Sequence, residues 1–182
     1  MTEFNRFQTL KRRFFAMRNG IIADVVRKSG APYPLVFGLN LPQIRAIADE
    51  FPVETELADQ LWADSRCRES LLMAPMVHPR EEMTAEKARR WLDESPSAEV
   101  TDILCHRLLR YLPDAMDVAM SLADSGRDLS RYGALRLMFN LIGEKWREIE
   151  PYLLAEQQRG CDVTDGICRR MADEIEFFKE GE

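Results

Sequence analysis

The stretches LWADS at 61–65, WLDES at 91–95 and SLADS at 121–125 are three versions of one short motif. They begin at positions 61, 91 and 121, so the motif returns at a constant interval. Each version closes a segment whose apolar residues have helical spacing. Self-similarity at this period is typical of stacked helical hairpins. The repeat therefore predicts an all-α chain in which every second helix lies in the same layer.

Helical periodicity continues on both sides of the motif, interrupted by prolines and glycines. One set of helices is predicted at about 41–51, 66–77, 99–111, 131–142 and 165–178, and an interleaved set at about 54–64, 84–94, 114–124 and 147–158. One helical pair cannot bury its own apolar stripe, so stacked pairs must share a core. We expect a single domain over 1–182, with amphipathic helices in 1–34 and the stacked pairs in 35–182.

Composition narrows the class of protein further. Of the 182 residues, 46% are hydrophobic and 31% are charged, which is an ordinary balance for a packed domain. No apolar run approaches the roughly 18 residues that a membrane helix needs. Neither the four cysteines nor His78 has metal-ligand spacing, so no metal is expected. These features predict a cytoplasmic protein, most simply a monomer, without membrane contact.

The charge is unevenly divided between the two predicted layers. The formal net charge is −6, which by itself disfavours nucleic-acid binding. However, the interleaved helices carry most of the acidic excess, whereas the first set is slightly basic. Two interpretations remain open: the first set lines a basic groove, or these charges are ordinary solvated faces.

Basic and aromatic residues alternate near the N-terminus. Phe4 begins a helical series of aromatic residues, and Arg12-Arg13 adjoins Phe14-Phe15. This segment is either a nucleic-acid contact or an amphipathic helix that docks its aromatic face on the helical stack. Docking is the interpretation that the spacing favours.

Several segments occur in the order of a known family. The stretch 37–45 (FGLNLPQIR) combines an apolar-Gly turn with a helix that begins at a proline, and 57–62 (LADQLW) follows it. Next come 66–76, which contains Arg68-Glu69, the tryptophan-bearing helix 85–92, and Asp102 in a helical first turn. Over residues 35–145 this order resembles the DNA alkylation repair family, the AlkD-like HEAT-repeat DNA glycosylases.

The resemblance implies an α–α superhelix of HEAT-like helical repeats with duplex DNA in a concave groove. Active family members hydrolyse the N-glycosidic bond of cationic alkylated purines, such as 3- or 7-alkylpurines, without a metal or cofactor. An Asp stabilises the positive charge that develops on the sugar. Such electrostatic stabilisation can carry most of the catalysis, because a cationic base is already a good leaving group.

The resemblance implies roles for several residues of this chain. Asp102 matches the catalytic Asp, and His106 lies one helical turn further on the same face as possible support. The alternative is an exposed Asp at a helix start beside a surface His. The candidate DNA contacts are Arg45, Arg66, Arg68, Arg131, Tyr132 and Arg136.

Several positions depart from the family pattern, among them Leu129, which stands at the Trp of the motif that holds the phosphate-binding Arg. Ala98 stands where the family has a Trp, and Tyr132 stands at the position of its phosphate-holding Arg. These changes leave enzymatic activity open. The alternative function is a catalytically inactive helical-repeat scaffold that binds a protein or another ligand rather than alkylated duplex DNA.

Overall fold

The computed structural model describes residues 5–181, and every regular element in this range is a helix. One isolated parallel bridge joins Leu35 to Cys67. The all-α prediction is confirmed. Among the described helices, none has the length and apolar character that a membrane span requires. Phe4, the first aromatic residue of the predicted amphipathic helix, lies outside the described residues.

The chain forms two compact units, Met1–Glu82 and Met83–Glu182. The expectation of a single domain over 1–182 stays a prediction. The first unit contains α1 (Arg6–Ala16), α2 (Gly20–Lys28), α3 (Leu41–Ala48), α4 (Thr55–Ala63), α5 (Arg68–Val77) and the 3₁₀ turn Arg80–Glu82. The second contains α6 (Ala85–Glu94), α7 (Ala98–Arg107), the 3₁₀ turn Leu109–Tyr111, α8 (Ala115–Met120), α9 (Asp128–Arg159) and α10 (Asp162–Glu180).

The turn before α3 is built around a buried carboxylate. Glu69 accepts backbone N–H groups from Phe37, Gly38 and Leu39 at 3.1, 2.9 and 3.3 Å. Arg68 donates to the Leu39 carbonyl at 3.0 Å and pairs with Glu69 at 3.2 Å. Both side chains are buried, so this ion pair supports the turn from inside the first unit.

Local sequence explains where α3 begins. The Asn40 side chain accepts the backbone N–H of Gln43, and the Gln43 side chain accepts that of Asn40, which forms a capping box. Pro42 follows in the first turn, where its missing N–H has no intrahelical partner to lose. The helix ends at Ala48, three residues earlier than the periodicity predicts.

The two adjacent phenylalanines near the end of α1 lie in different environments. Phe14 is fully buried, and its ring centroid lies 5.8 Å from that of Phe37. Phe15 projects outward with 57% of its surface exposed. The predicted docking of an aromatic face therefore describes Phe14 and not Phe15.

The segment α9 consists of two helical halves that meet at a kink. It spans the predicted helices at 131–142 and 147–158, and Lys145 has non-helical dihedral angles between them. A straight helix would separate Arg131 from Glu156 by about 37 Å. The Arg131 Nε instead lies 3.0 Å from Glu156 Oε2, so the two halves lie side by side.

The repeated motif marks the ends of α4, α6 and α8. Its carboxylates hold later helices: Asp64 accepts the Ser70 hydroxyl at 2.7 Å, and Asp93 accepts the Ser130 hydroxyl at 2.6 Å. In the third copy Asp124 pairs with Arg159. The first two copies thus position the starts of α5 and α9, whereas the third contacts the last residue of α9.

Candidate nucleic-acid interface

Three side chains of the second unit meet at Asp102. The carboxylate is on α7, while Tyr132 and Arg136 lie one turn apart on α9 and so share a face. The Tyr132 hydroxyl donates to Asp102 Oδ1 at 2.8 Å. The Arg136 Nε lies 3.1 Å from the same oxygen as an ion pair. About one-third of the Asp102 side chain, 36%, remains exposed.

Burial keeps the neighbouring acids of Asp102 in their neutral forms. It raises the pKa of the Tyr132 hydroxyl well above its ordinary value, and the hydrogen bond to Asp102 adds to this shift. Burial also raises the pKa of the Cys105 thiol, with a smaller contribution from the Asp102 charge. Tyr132 is therefore a neutral hydrogen-bond donor to Asp102 Oδ1.

Arginines surround the next turn of α7. Partial burial lowers the pKa of His106, and the charges of Arg110, Arg107 and Arg136 lower it further. One Arg110 nitrogen lies 3.3 Å from His106 Nδ1. These groups are close enough for the arginine charges to keep the imidazole neutral at neutral pH.

A fourth arginine reaches this region from α10. The guanidinium carbons of Arg170 and Arg136 lie 5.9 and 5.7 Å from the centre of the Phe139 ring. The positive charges of both arginines also lower the pKa of the Tyr132 hydroxyl, which opposes the larger increase caused by burial. We call Arg107, Arg110, Arg136 and Arg170 the arginine cluster.

The predicted site residues fall into separate places. Asp102, His106, Tyr132 and Arg136 come together as described. Arg68 is buried with Glu69 in the first unit. Arg131 is buried in the second, where it binds Glu156 and also Asp128 at 2.8 Å. These two guanidinium groups hold the protein interior together.

The remaining predicted positions are on the surface. Arg45 and Arg66 are exposed residues of the first unit. Ala98 is the exposed first residue of α7, one turn before Asp102. Its methyl side chain offers no aromatic surface there.

Sequence reasoning did not select three members of the arginine cluster. A signal for Arg107 and Arg110 was available, because both follow Asp102 within about two helical turns. Arg170 gave no such signal, since only the packing of α10 on α9 brings it to Tyr132. Within residues 5–181, no group of three or more potential metal-ligating side chains comes together.

Comparisons with known proteins agree with the fold. A solved structure superposes with a TM-score of 0.78 and 20% sequence identity, covering 91% of this chain and 73% of its own. That structure represents proteins described as related to the HEAT-like repeat DNA glycosylases, with affinity for branched DNA structures. The predicted HEAT-like helical-repeat fold is thereby confirmed.

The family comparison covers nearly the whole chain. No curated protein matches significantly. The family model described as "DNA alkylation repair enzyme" matches residues 10–178, far more than half of the sequence. The resemblance drawn from the order of segments is thereby confirmed, and the chain belongs to the DNA alkylation repair enzyme family.

Proposed function

We propose that this protein binds DNA and that the arginine cluster of the second unit contacts the phosphates. The observation that carries the proposal is the convergence of four guanidinium groups around His106, Tyr132 and Phe139. Membership of the family and the affinity of a similarly folded protein for branched DNA support it.

The chemistry of the cluster suits a phosphate backbone. Guanidinium groups bind phosphate oxygens with two parallel hydrogen bonds, and such contacts supply much of the affinity of DNA-binding proteins. Arg170 is exposed, and Arg107, Arg110 and Arg136 are partly exposed. A net charge of −6 does not oppose this role, because a bound phosphate responds mainly to charges within about 10 Å.

Fluorescence anisotropy with linear duplex and four-way branched DNA tests the proposal. The charge reversals Arg110→Glu and Arg170→Glu are expected to weaken binding by about tenfold each. Arg89→Glu is the matched control, because Arg89 is an exposed arginine of α6 in the same unit. Equal losses in the cluster variants and the control would contradict a specific role for the cluster.

The same titration addresses the alternative of a protein-binding scaffold. A scaffold without DNA function is expected to show no DNA affinity near physiological salt. Binding that is tighter for branched than for linear DNA would instead align this chain with its structural neighbour. Competition with unlabelled DNA of each shape measures that preference directly.

Base excision is a second candidate function. Both contacts to Asp102 are made at Oδ1, and the side chain is partly exposed, so the carboxylate can approach a deoxyribose. The ion pair with Arg136 weakens its negative charge and so limits the stabilisation of a sugar cation. Incubation with duplex that contains 7-methylguanine provides the test. Base release that disappears in Asp102→Asn would support excision, and no release by micromolar wild-type protein would exclude it.

A further inference from the structure

The first unit has its own basic and aromatic surface. Residues 5–34 contain seven Arg or Lys and one Asp, although the whole chain has a net charge of −6. Arg6, Lys11, Arg13 and Arg27 are each paired with a carboxylate. The contacts of Arg18 are different, because its side chain packs on an exposed aromatic ring.

Arg18 and Phe15 form a stacked pair at the end of α1. The guanidinium carbon lies 3.9 Å from the centre of the Phe15 ring, and Nη1 donates to the Phe15 carbonyl at 2.9 Å. This arrangement orients the ring without burying it, since 57% of Phe15 is exposed. An exposed ring held by a cation is a suitable surface for stacking another planar group.

A pocket of about 610 Å³ adjoins this pair. Its described lining includes Phe15, Arg18, Arg27, Leu35 and Phe37, and none of the described lining residues is a carboxylate. The volume falls within the range of small-ligand sites. Arg27 is already paired with Asp24, so Arg18 is the arginine of this lining that the inference uses. Apolar and aromatic walls beside Arg18 favour a ligand that combines a flat ring with a negative charge.

We propose that this pocket binds an unpaired nucleotide of DNA, with its base against Phe15 and its phosphate near Arg18. The inference rests on the DNA-binding function proposed above. Bases within a paired duplex are stacked on one another and cannot reach an isolated protein ring. Bases at a branch point or in a single strand are free to do so, and stacking on aromatic side chains is how such strands are commonly held.

Forked DNA with 2-aminopurine at an unpaired branch position tests the inference on the full chain. Wild-type protein is expected to quench the fluorescent base, and Phe15→Leu to abolish the quenching and weaken fork binding by about tenfold. Affinity for fully paired duplex is expected to be unchanged. Ile21→Ala is the matched control, because Ile21 is 80% exposed and lies outside the pocket lining.

The outcomes separate this inference from the proposed function. If Phe15→Leu and Ile21→Ala bind forked DNA as wild type does, the pocket does not hold a base and the inference is overturned. Equal losses on fork and duplex would also overturn it, because stacking acts only on unpaired bases. If the wild-type protein binds none of these DNAs, the proposed function fails together with the inference.

Discussion

Two carboxylates of this protein have different roles because their surroundings differ. Glu69 is fully buried, and three backbone N–H groups and a guanidinium surround it. Asp102 is partly exposed and contacts a tyrosine and an arginine. The first carboxylate stabilises a turn, whereas the second is available to solvent and to a ligand.

A substitution at Gly38 measures how much the turn held by Glu69 contributes to stability. Its φ is +80°, and an added Cβ would lie 2.1 Å from the Asn19 carbonyl oxygen and 2.6 Å from the Ala23 nitrogen. We expect Gly38→Ala to lower the free energy of unfolding by about 3 kcal/mol or more, measured by urea denaturation. Gly30→Ala is the control, since φ is again +80° but the space is open. In Gly30→Ala the backbone strain alone is expected to cost about 1 kcal/mol. Equal losses of stability in the two variants would therefore contradict the steric clash at Gly38.

Asp102→Asn tests how this residue acts on DNA binding. Asparagine retains an oxygen that can accept the Tyr132 hydroxyl, but it removes the negative charge that pairs with Arg136. The released guanidinium is then more available to phosphate, so DNA affinity is expected to increase by about threefold in an anisotropy titration. A decrease in affinity would show that the carboxylate itself contributes to DNA recognition.

His106 predicts a pH dependence of DNA binding. Its pKa is lowered in the free protein by burial and by Arg110, Arg107 and Arg136. Asp102 lies one turn before it on α7, and Tyr132 and Arg136 of α9 contact that carboxylate. A bound phosphate would raise this pKa, so binding takes up a proton and strengthens as the pH falls toward about 6. His106→Gln is expected to flatten this dependence, and an unchanged profile would exclude His106 as its source.

Among the elements, α9 consists of two helical halves that meet at a kink and are joined by a long-range ion pair. Arg131 and Glu156 lie in its two halves, and the non-helical Lys145 allows the halves to meet. Glu156 also accepts Arg159 at 3.0 Å and the Thr164 hydroxyl at 2.8 Å. One buried carboxylate thereby joins both halves of α9 to the start of α10.

Removing this carboxylate is expected to destabilise the second unit. Removing one partner of a buried ion pair costs about 3–5 kcal/mol. In Glu156→Gln the exposed Asp128 remains as a charge partner of Arg131, so the loss is expected at about the lower end of that range. Urea denaturation measures the loss. Glu148→Gln serves as the control, because Glu148 pairs with Lys145 on the surface, and its effect is expected to be small. Similar losses in both variants would argue against the buried network.

For the whole molecule, the distribution of charge matters more than its sum. The chain is acidic, yet four arginines converge in the second unit and residues 5–34 are strongly basic. An acidic remainder also discourages indiscriminate binding to nucleic acid. The DNA binding that we propose would therefore depend on local surfaces rather than on net attraction.

The salt dependence of the DNA-binding constant measures how many phosphates the arginine cluster neutralises. Four phosphate contacts predict that log K falls with log salt concentration with a slope of about −3.6 on duplex DNA. Arg110→Glu is expected to reduce the magnitude of this slope by about one, because one contact is lost. A slope near zero for the wild-type protein would contradict phosphate recognition by the cluster.

Much of the architecture could be predicted because its signals are local. The capping box at Asn40 and Gln43, Pro42 in the first turn and the repeated motif all act within a few residues of where they occur. The ends of helices were less predictable. Helix α8 ends at Met120 rather than near 124, and the predicted helix at 99–111 becomes α7 followed by a 3₁₀ turn at Leu109–Tyr111. Leu108 leaves the helical dihedral range between them.

The sequence by itself determined the class of fold, the helical repeat and the family, because periodicity, caps and ordered segments are properties of neighbouring residues. Tertiary structure decided which arginines hold the interior and which remain accessible. Glu156, the buried partner of Arg131, is 25 positions away, and Tyr132 is 30 positions from Asp102. Burial and ion pairing depend on such distant partners, so the candidate interface became visible only after the helices had packed.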